Sequence, residues 1–374
     1  MGEASGEAHA ARVVSELKNI SPDTQISGIG GDKLRAAGMD VVVDFAELAV
    51  MGLVEVVKRY GQIKAIFDQM VAILKNQRPD LLVLVDYPGF NLKLAKQAKK
   101  LGIPVFYYIS PKVWAWRKGR VKTIQRVVDH MAVLFPFEVD IYQQAGVPVS
   151  CVGHPLVDAV SRQSSQQEAK ALFELNANHH VLGLFPGSRR SEVETLLPIM
   201  IQAAERIAQK RNDIDVVLPL APGLDRHLLE KMLAKTSLPI KIVDREFYTL
   251  TTACDAVVAA SGTVTLEIAL LGVPHFIIYK VAPLTYEILS RLVKIPYVGL
   301  CNIVTGKNLI TELIQDNATV EQVELELLDR LKRTDSKAVA EDIRKEVLTA
   351  LGPSGGAKNA AKLIVTMLEQ PSYD

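Results

Sequence analysis

Along most of the chain, short β-branched or apolar runs alternate with stretches in which apolar residues return every three or four positions. Strand candidates in the first part are Val41–Asp44, Leu81–Asp86, Val105–Ile109, Met131–Leu134 and Val149–Val152. A second set follows at Val181–Phe185, Asp215–Leu218, Ile240–Val243, Ala256–Ala259 and His275–Tyr279. LLVLVD and DAVVAA are unbroken apolar runs, as expected of parallel strands covered on both faces. Strand and helix alternating in this way predicts an α/β fold with parallel sheets. The polar segment SRQSSQQEAK (161–170) reads as a linker, so two doubly wound domains are expected, with ligands at the C-terminal ends of their strands and a cleft between them. The boundaries drawn from this are 1–163, 164–351 and a final helical piece, 352–374, set off by Gly-Pro-Ser-Gly-Gly (352–356). That helix can pack on the first domain or on a second copy, which leaves a homodimer open.

The length of 374 residues agrees with two domains. The net charge of +1 gives no reason to expect a nucleic-acid partner. Residues 1–155 hold 19 Lys and Arg against 15 Asp and Glu, and the rest hold 24 against 27, so the first half is mildly basic. Cys151, Cys254 and Cys301 are far apart and show no metal-ligand or disulfide spacing. No apolar run approaches the roughly 20 residues that cross a bilayer.

Two segments of the second half carry chemistry. In VLGLFPGSRRSEV a strand runs into Gly187, Ser188 and Arg189, and a helix begins near Glu192. In DAVVAASGTVTLE a strand runs into Ser261, Gly262 and Thr263 before the next helix, with Glu267 one turn further on. Free N–H groups at a helix N-terminus attract phosphate, and an arginine adds paired donors. One such loop reads equally well as an ordinary helix cap; two in one domain favour a diphosphate. SGIGGDK (27–33) fails the GxGxxG pattern at Lys33, and no GxxxxGK[ST] occurs. Asp213 and Asp215 precede their strand and read as a solvated turn rather than a metal pair. No cofactor and no metal are expected.

In the first half, LLVLVDYPGFN ends a strand on Asp86, where partial burial would suit a general base; the alternative is a cap for a helix starting near Asn91. His154, in VGHPLVDAV, sits between strand and helix and suits a site or a packing role. ISPKVWAWRKGRVKTIQR holds both tryptophans, Trp114 and Trp116, with Arg117 and Arg120 among six basic residues and no acid. Together with the apolar stretch 48–74, which includes Met51, it suits a phosphate-bearing lipid or a membrane interface; core packing is the plainer reading.

Taken in order, GEASG, ELAVMGLVEV (47–56), VDYPGFN (85–91), ISPKVWAWR (109–117), VGHPLVD (152–158), LFPGSRRSEV (184–193), AASGTVTLE (259–267) and the region of Asn302 resemble the lipid-A-disaccharide synthases over nearly the whole chain. The resemblance implies a GT-B glycosyltransferase of two Rossmann-like domains. It implies inverting, metal-independent transfer of 2,3-diacylglucosamine from its UDP derivative to the 6-hydroxyl of 2,3-diacylglucosamine 1-phosphate. Work at the inner face of a Gram-negative inner membrane, as a peripheral protein, is implied as well. Asp86 would be the base. Gly187, Ser188, Arg189, Ser261, Gly262, Thr263, Glu267 and Asn302 would hold the UDP-sugar. Ser5, Gly6, Met51, Trp114, Trp116, Arg117, Arg120 and His154 would lie on the acceptor and lipid side. A UDP-GlcNAc 2-epimerase-like isomerase and a non-catalytic lipid- or nucleotide-binding relative are the alternatives. The family's opening GExSGD reads here with Glu7 in place of Asp. In the family that loop follows an apolar strand, so the first strand of the first domain is expected to be missing, through a mis-assigned start or a truncation.

Overall fold

The computed structural model describes residues 4–45, 60–114, 119–161, 164–282, 286–287 and 296–369. Their contacts divide into two compact units, one of residues 1–158 with 351–374 and one of residues 159–350.

In the first unit the strands form two parallel sheets. β1 (Ser27–Gly30) pairs with β2 (Asp40–Asp44). β3 (Leu82–Val85), β4 (Val105–Tyr108), β5 (His130–Val133) and β6 (Val149–Cys151) form the other sheet, in that order. Side chains leave the strands alternately to two cores. Leu84, Tyr107, Met131 and Val133 pack with Met70 and Leu74 of the Tyr60–Gln77 helix. Val85, Phe106, Tyr108 and Ala132 pack with α1 (Ala4–Ile20) and with the last helix, Gly356–Glu369.

In the second unit six parallel strands stand in the order β12-β11-β10-β7-β8-β9. They are β7 (His180–Phe185), β8 (Ile214–Pro219), β9 (Ile240–Val243), β10 (Ala256–Ala260), β11 (His275–Tyr279) and β12 (Glu312–Ile314). One face is covered by the helices Arg190–Ala208 and Val320–Lys332, the other by Phe247–Ala253 and Thr263–Leu270. The strands step outward from β7 to β9, and the chain then returns to place β10 on the other side of β7. That reversal makes the β7/β10 border the topological switch point, where open α/β sheets bind ligands.

Several local expectations change. The glycine-rich opening is helical from Ala4, because Ala10, Val13, Val14 and Leu17 bury one face of α1. Residues 166–170 of the expected linker open the helix Gln166–Leu172, which Ser165 and Glu168 close with a capping box. Helices begin at Pro88 and Arg190, three and two residues earlier than their polar flanks suggest. Ser27–Gly30, read only as a failed glycine motif, is a strand, and Glu312–Ile314 is one more.

Candidate functional site

The loops after β7 and β10 leave adjacent strands, with Phe185 opposite Ala259 in the ladder. Gly187 has φ of +106°, a region that favours glycine, and a Cβ there would lie 2.4 Å from the Glu192 carboxylate. The tight turn brings Ser188 and Arg189 to the N-terminus of the long helix Arg190–Ala208, both exposed. Glu192 folds back on this terminus. It accepts from the Arg189 backbone N–H at 3.4 Å and from its guanidinium at 3.2 Å. The Arg189 side chain is 80% exposed, so this pair is readily exchanged for a stronger anion.

Beside it, the Ser261 hydroxyl donates to the Val298 carbonyl at 2.9 Å. Gly262 is extended, with open space where a side chain would stand. Thr263 is exposed at the start of its helix, and Thr265 closes the first turn by donating to the Gly262 carbonyl. Glu267 lies one turn deeper and accepts from the Tyr248 hydroxyl at 3.1 Å. Burial raises its pKa, with the Tyr248 bond opposing. At the end of β11, burial and then the Glu192 charge raise the pKa of the Tyr279 phenol, while Arg189 opposes. The Tyr279 phenol therefore senses the charges of the β7 loop. The set is two helix N-termini, a guanidinium, exposed hydroxyls and a carboxylate at the switch point, which suits a diphosphate joined to a polyhydroxylated group.

In the first unit, Asp86 and Tyr87 follow β3 with φ of +45° and +44°. Two successive non-glycine residues in this region carry strain that their surroundings must impose. Asn91 imposes part of it: its buried amide donates to the carbonyls of Val85 and Asp86, at 3.1 and 2.6 Å. The Tyr107 hydroxyl adds a 2.6 Å bond to the Asp86 carbonyl, and the Asp86 N–H donates to Tyr108. Burial, then the Asp86 charge, pushes the Tyr107 phenol well above its usual range, and Arg120 pulls it down. Asp86 and Arg120 thus act on one phenol. Trp114 donates from Nε1 to Glu138 at 3.2 Å and meets Phe137 edge-on. Phe137 stacks on Phe135, and Phe135 on His154.

The family model described as lipid-A-disaccharide synthetase matches residues 1–365. A lipid-A-disaccharide synthase of Trichlorobacter lovleyi is 47% identical over 369 residues, covering 99% of this chain and 96% of that protein. The chain belongs to the lipid-A-disaccharide synthetase family. It is a glycosyltransferase of lipid A synthesis. Solved structures of the same fold are far more distant. UDP-GlcNAc 2-epimerase from Neisseria meningitidis, bound to UDP-GlcNAc, gives a TM-score of 0.59 at 14% identity, covering 98% of this chain and 97% of that one. Acinetobacter baumannii MurG gives 0.56 at 12%, covering 97% and 95%. The fold is GT-B, as the resemblance implied.

Against that family frame, Gly187, Ser188, Arg189, Ser261, Gly262, Thr263 and Glu267 gather at one switch point. Asn302 lies in the same unit, on the helix Leu300–Thr305. It is fully buried: its amide donates to the Ile310 carbonyl and to Glu312, and its carbonyl accepts from the N–H groups of Leu309 and Ile310. Glu312 in turn accepts from the N–H groups of Val298 and Gly299. His154 is likewise buried; its Nδ1 accepts from the Leu156 N–H, and burial, then His9, lowers its pKa to about 4. Ser5 and Gly6 lie in the first turns of α1. Met51, Trp116 and Arg117 lie outside the described residues. Glu7 is buried and accepts from the Lys33 N–H at 3.1 Å, capping the helix Asp32–Ala36.

Sequence reasoning missed Tyr107, Glu138, Tyr248 and Glu312. Each meets its partner across 14 to 24 positions of chain, so no local pattern announces it. Among the described residues, no group of three or more His, Cys, Asp or Glu is placed to hold a metal ion, and no helix is long and apolar enough to cross a membrane.

Proposed function

We propose that this chain transfers 2,3-diacylglucosamine from its UDP derivative to the 6-hydroxyl of 2,3-diacylglucosamine 1-phosphate, with inversion, releasing UDP. The observation that carries this reading is the pair of adjacent-strand loops at the β7/β10 switch point. Their N-termini and Arg189 match a diphosphate, and Glu267 lies one turn beyond for ribose hydroxyls. The second unit then holds the UDP-sugar and the first unit the acceptor.

The acceptor oxygen forms a bond to the anomeric carbon as the bond from that carbon to the diphosphate oxygen breaks. The proton of the 6-hydroxyl passes to Asp86, and the electron pair leaves with UDP. Asp86 is the base because its carboxylate is held by a clamped, strained backbone at a strand's C-terminal end. The helix N-termini at Ser188 and Thr263, with Arg189, meet the charge that grows on the leaving diphosphate. In this reading they do so without a metal. Arg120 faces the acceptor's 1-phosphate, and the Trp114 segment borders its acyl chains. Met51 is assigned to the same lipid side, at the inner face of the membrane. Ser5 and Gly6 belong to the same acceptor side. Asn302 is assigned to the UDP-sugar side and His154 to the acceptor side.

Mass spectrometry of the product from UDP-diacylglucosamine and diacylglucosamine 1-phosphate tests the proposal: a disaccharide 1-phosphate is expected. Conversion of plain UDP-GlcNAc to its epimer would replace this reading with the isomerase one. Asp86→Ala is expected to lower kcat by about 10²–10⁴-fold with UDP-sugar binding retained. Unchanged turnover would remove Asp86 as the base.

A further inference from the structure

At the loop after β7 the chain supplies an anion of its own. Several helices of the second unit cap their first turn with an acceptor side chain: Ser165 accepts from the Glu168 N–H, Asp225 from His227 and Thr319 from Gln322. The long helix Arg190–Ala208 has Arg189 in that place, and it makes no side-chain cap bond. A guanidinium has five donors and no acceptor, so it cannot cap a helix as Ser, Thr or Asp does. Glu192 reaches back instead, with Oε2 on the Arg189 backbone N–H and Oε1 on the guanidinium.

The grip is loose. These contacts measure 3.4 and 3.2 Å, whereas charge-assisted N–H···O bonds run to about 2.7–2.9 Å. Both arginines of the helix itself hold their carboxylates more closely, Arg190 on Glu194 at 2.7 Å and Arg206 on Glu321 at 2.8 Å. Yet the turn is shaped around Glu192. A Cβ on Gly187 would lie 2.4 Å from its Oε2 and 3.2 Å from its Cβ, so only a glycine leaves the carboxylate its place. The side chain is still 30% exposed. A carboxylate lodged in the turn, weakly bonded and open to water, is a poor structural tie and a good reversible occupant.

A diphosphate brings more negative charge to the same donors than a carboxylate does, and the two anions repel each other at this range. We propose, on the reading that the β7 loop receives the diphosphate, that Glu192 is its internal competitor. The Glu192 carboxylate holds the Arg189 N–H and guanidinium between turnovers, cedes them to the sugar donor, and reclaims them as UDP departs. Glu192 is a positioning residue: it touches no reacting atom and acts through Arg189. Donor and product are weakened alike, so the carboxylate lowers donor affinity and speeds UDP release. Its effect is confined to ligands that carry the diphosphate.

Calorimetric titration with UDP, inorganic pyrophosphate and uridine tests this on the wild type, Glu192→Gln, Arg189→Ala and the double variant. Glutamine keeps an oxygen for the Arg189 N–H and removes the charge, so the helix end is retained. Glu192→Gln is expected to bind UDP and pyrophosphate about tenfold more tightly, with uridine unchanged and product inhibition by UDP strengthened to match. Glu192→Ala, which lacks that oxygen too, should tighten UDP in the same sense. Arg189→Ala is expected to bind UDP about tenfold less tightly, and adding Glu192→Gln to it should recover less than about threefold, because the guanidinium in dispute is gone. A plain helix cap predicts otherwise. UDP binding that is unchanged or weaker in Glu192→Gln, while Arg189→Ala still weakens it, would overturn the proposal; so would a tightening that uridine shares. UDP binding untouched by Arg189→Ala would instead remove the β7 loop as the diphosphate site, and the role of Glu192 would fall with it.

Discussion

Each unit keeps one buried asparagine behind its candidate loop, and the two asparagines do different work. In the second unit, Asn302 and Glu312 tie the segment from Val298 to Ile310 into a closed network, and the Ser261 hydroxyl reaches the Val298 carbonyl at its border. The loops in front of it are relaxed, with positive φ confined to Gly187. In the first unit, Asn91 holds two non-glycine residues, Asp86 and Tyr87, in the left-handed region. A diphosphate is met by backbone N–H groups that a helix aims without strain. A single carboxylate must be aimed by its own backbone, and that backbone has to be forced. The second unit's loops are thus preformed by secondary structure, the first unit's by side-chain clamps.

Removing each clamp tests that contrast. Asn302→Ala takes away four hydrogen bonds and leaves the N–H groups of Leu309 and Ile310 with the Glu312 carboxylate short of partners. At about 1–3 kcal/mol for each buried group left unsatisfied, the loss should be at least ~3 kcal/mol, seen as a large fall in the denaturant midpoint. Asn91→Ala should cost less, about 2 kcal/mol, because Tyr107 still holds the Asp86 carbonyl. Its signature is kinetic: kcat should fall by about tenfold or more while donor KM stays put, since Asp86 and Tyr87 can relax out of their strained conformation. A fall in donor KM and kcat together would show that Asn91 supports more than the carboxylate.

Gly187→Ala probes the relaxed side. The Cβ would meet the Glu192 carboxylate at a φ of +106°, so the turn must shift and carry Ser188 and Arg189 with it. Donor KM should rise by about tenfold, equivalent to roughly 1.4 kcal/mol, with acceptor KM unchanged. If only stability falls, the β7 loop is not where the donor binds.

The same contrast explains what could be read from the chain alone. Buried parallel strands such as DAVVAA carry their signature in consecutive residues, and so do the helix N-termini at Ser188 and Thr263. The segment 161–170 misled because its Ser and Gln residues are polar as a linker's are, yet Ser165 and Glu168 are spaced as a capping box. β1 was hidden because two of its four residues are glycine, which weakens any strand pattern. The closed network around Asn302 has no local signature, because its partners Leu309, Ile310 and Glu312 stand beyond a helix end and a turn. Glu138 and Tyr248 were invisible because their partners, Trp114 and Glu267, are brought up by the fold and not by spacing.

The smallest effect concerns the clamp on Trp114. Burial raises the Glu138 carboxyl to about 7, against bonds from Phe135, Trp114 and Ser110 that lower it. A folded-state pKa above the unfolded value means that the native state binds the extra proton between about pH 4.5 and 7. Stability therefore falls as pH rises through that window, and the cost is fully present above it. His154, held at about 4, acts in the opposite direction: its contribution is complete above 6.5 and is lost as pH falls towards 4. The two slopes partly cancel in the wild-type curve, so the informative quantity is the difference from Glu138→Gln. Glutamine keeps an acceptor for Trp114 and removes the ionisation. Relative to this variant, the wild type should lose a few °C of Tm between pH 5 and 7.5. A flat difference curve would mean that Glu138 stays ionised in the fold and that its bond to Trp114 is a charged one throughout.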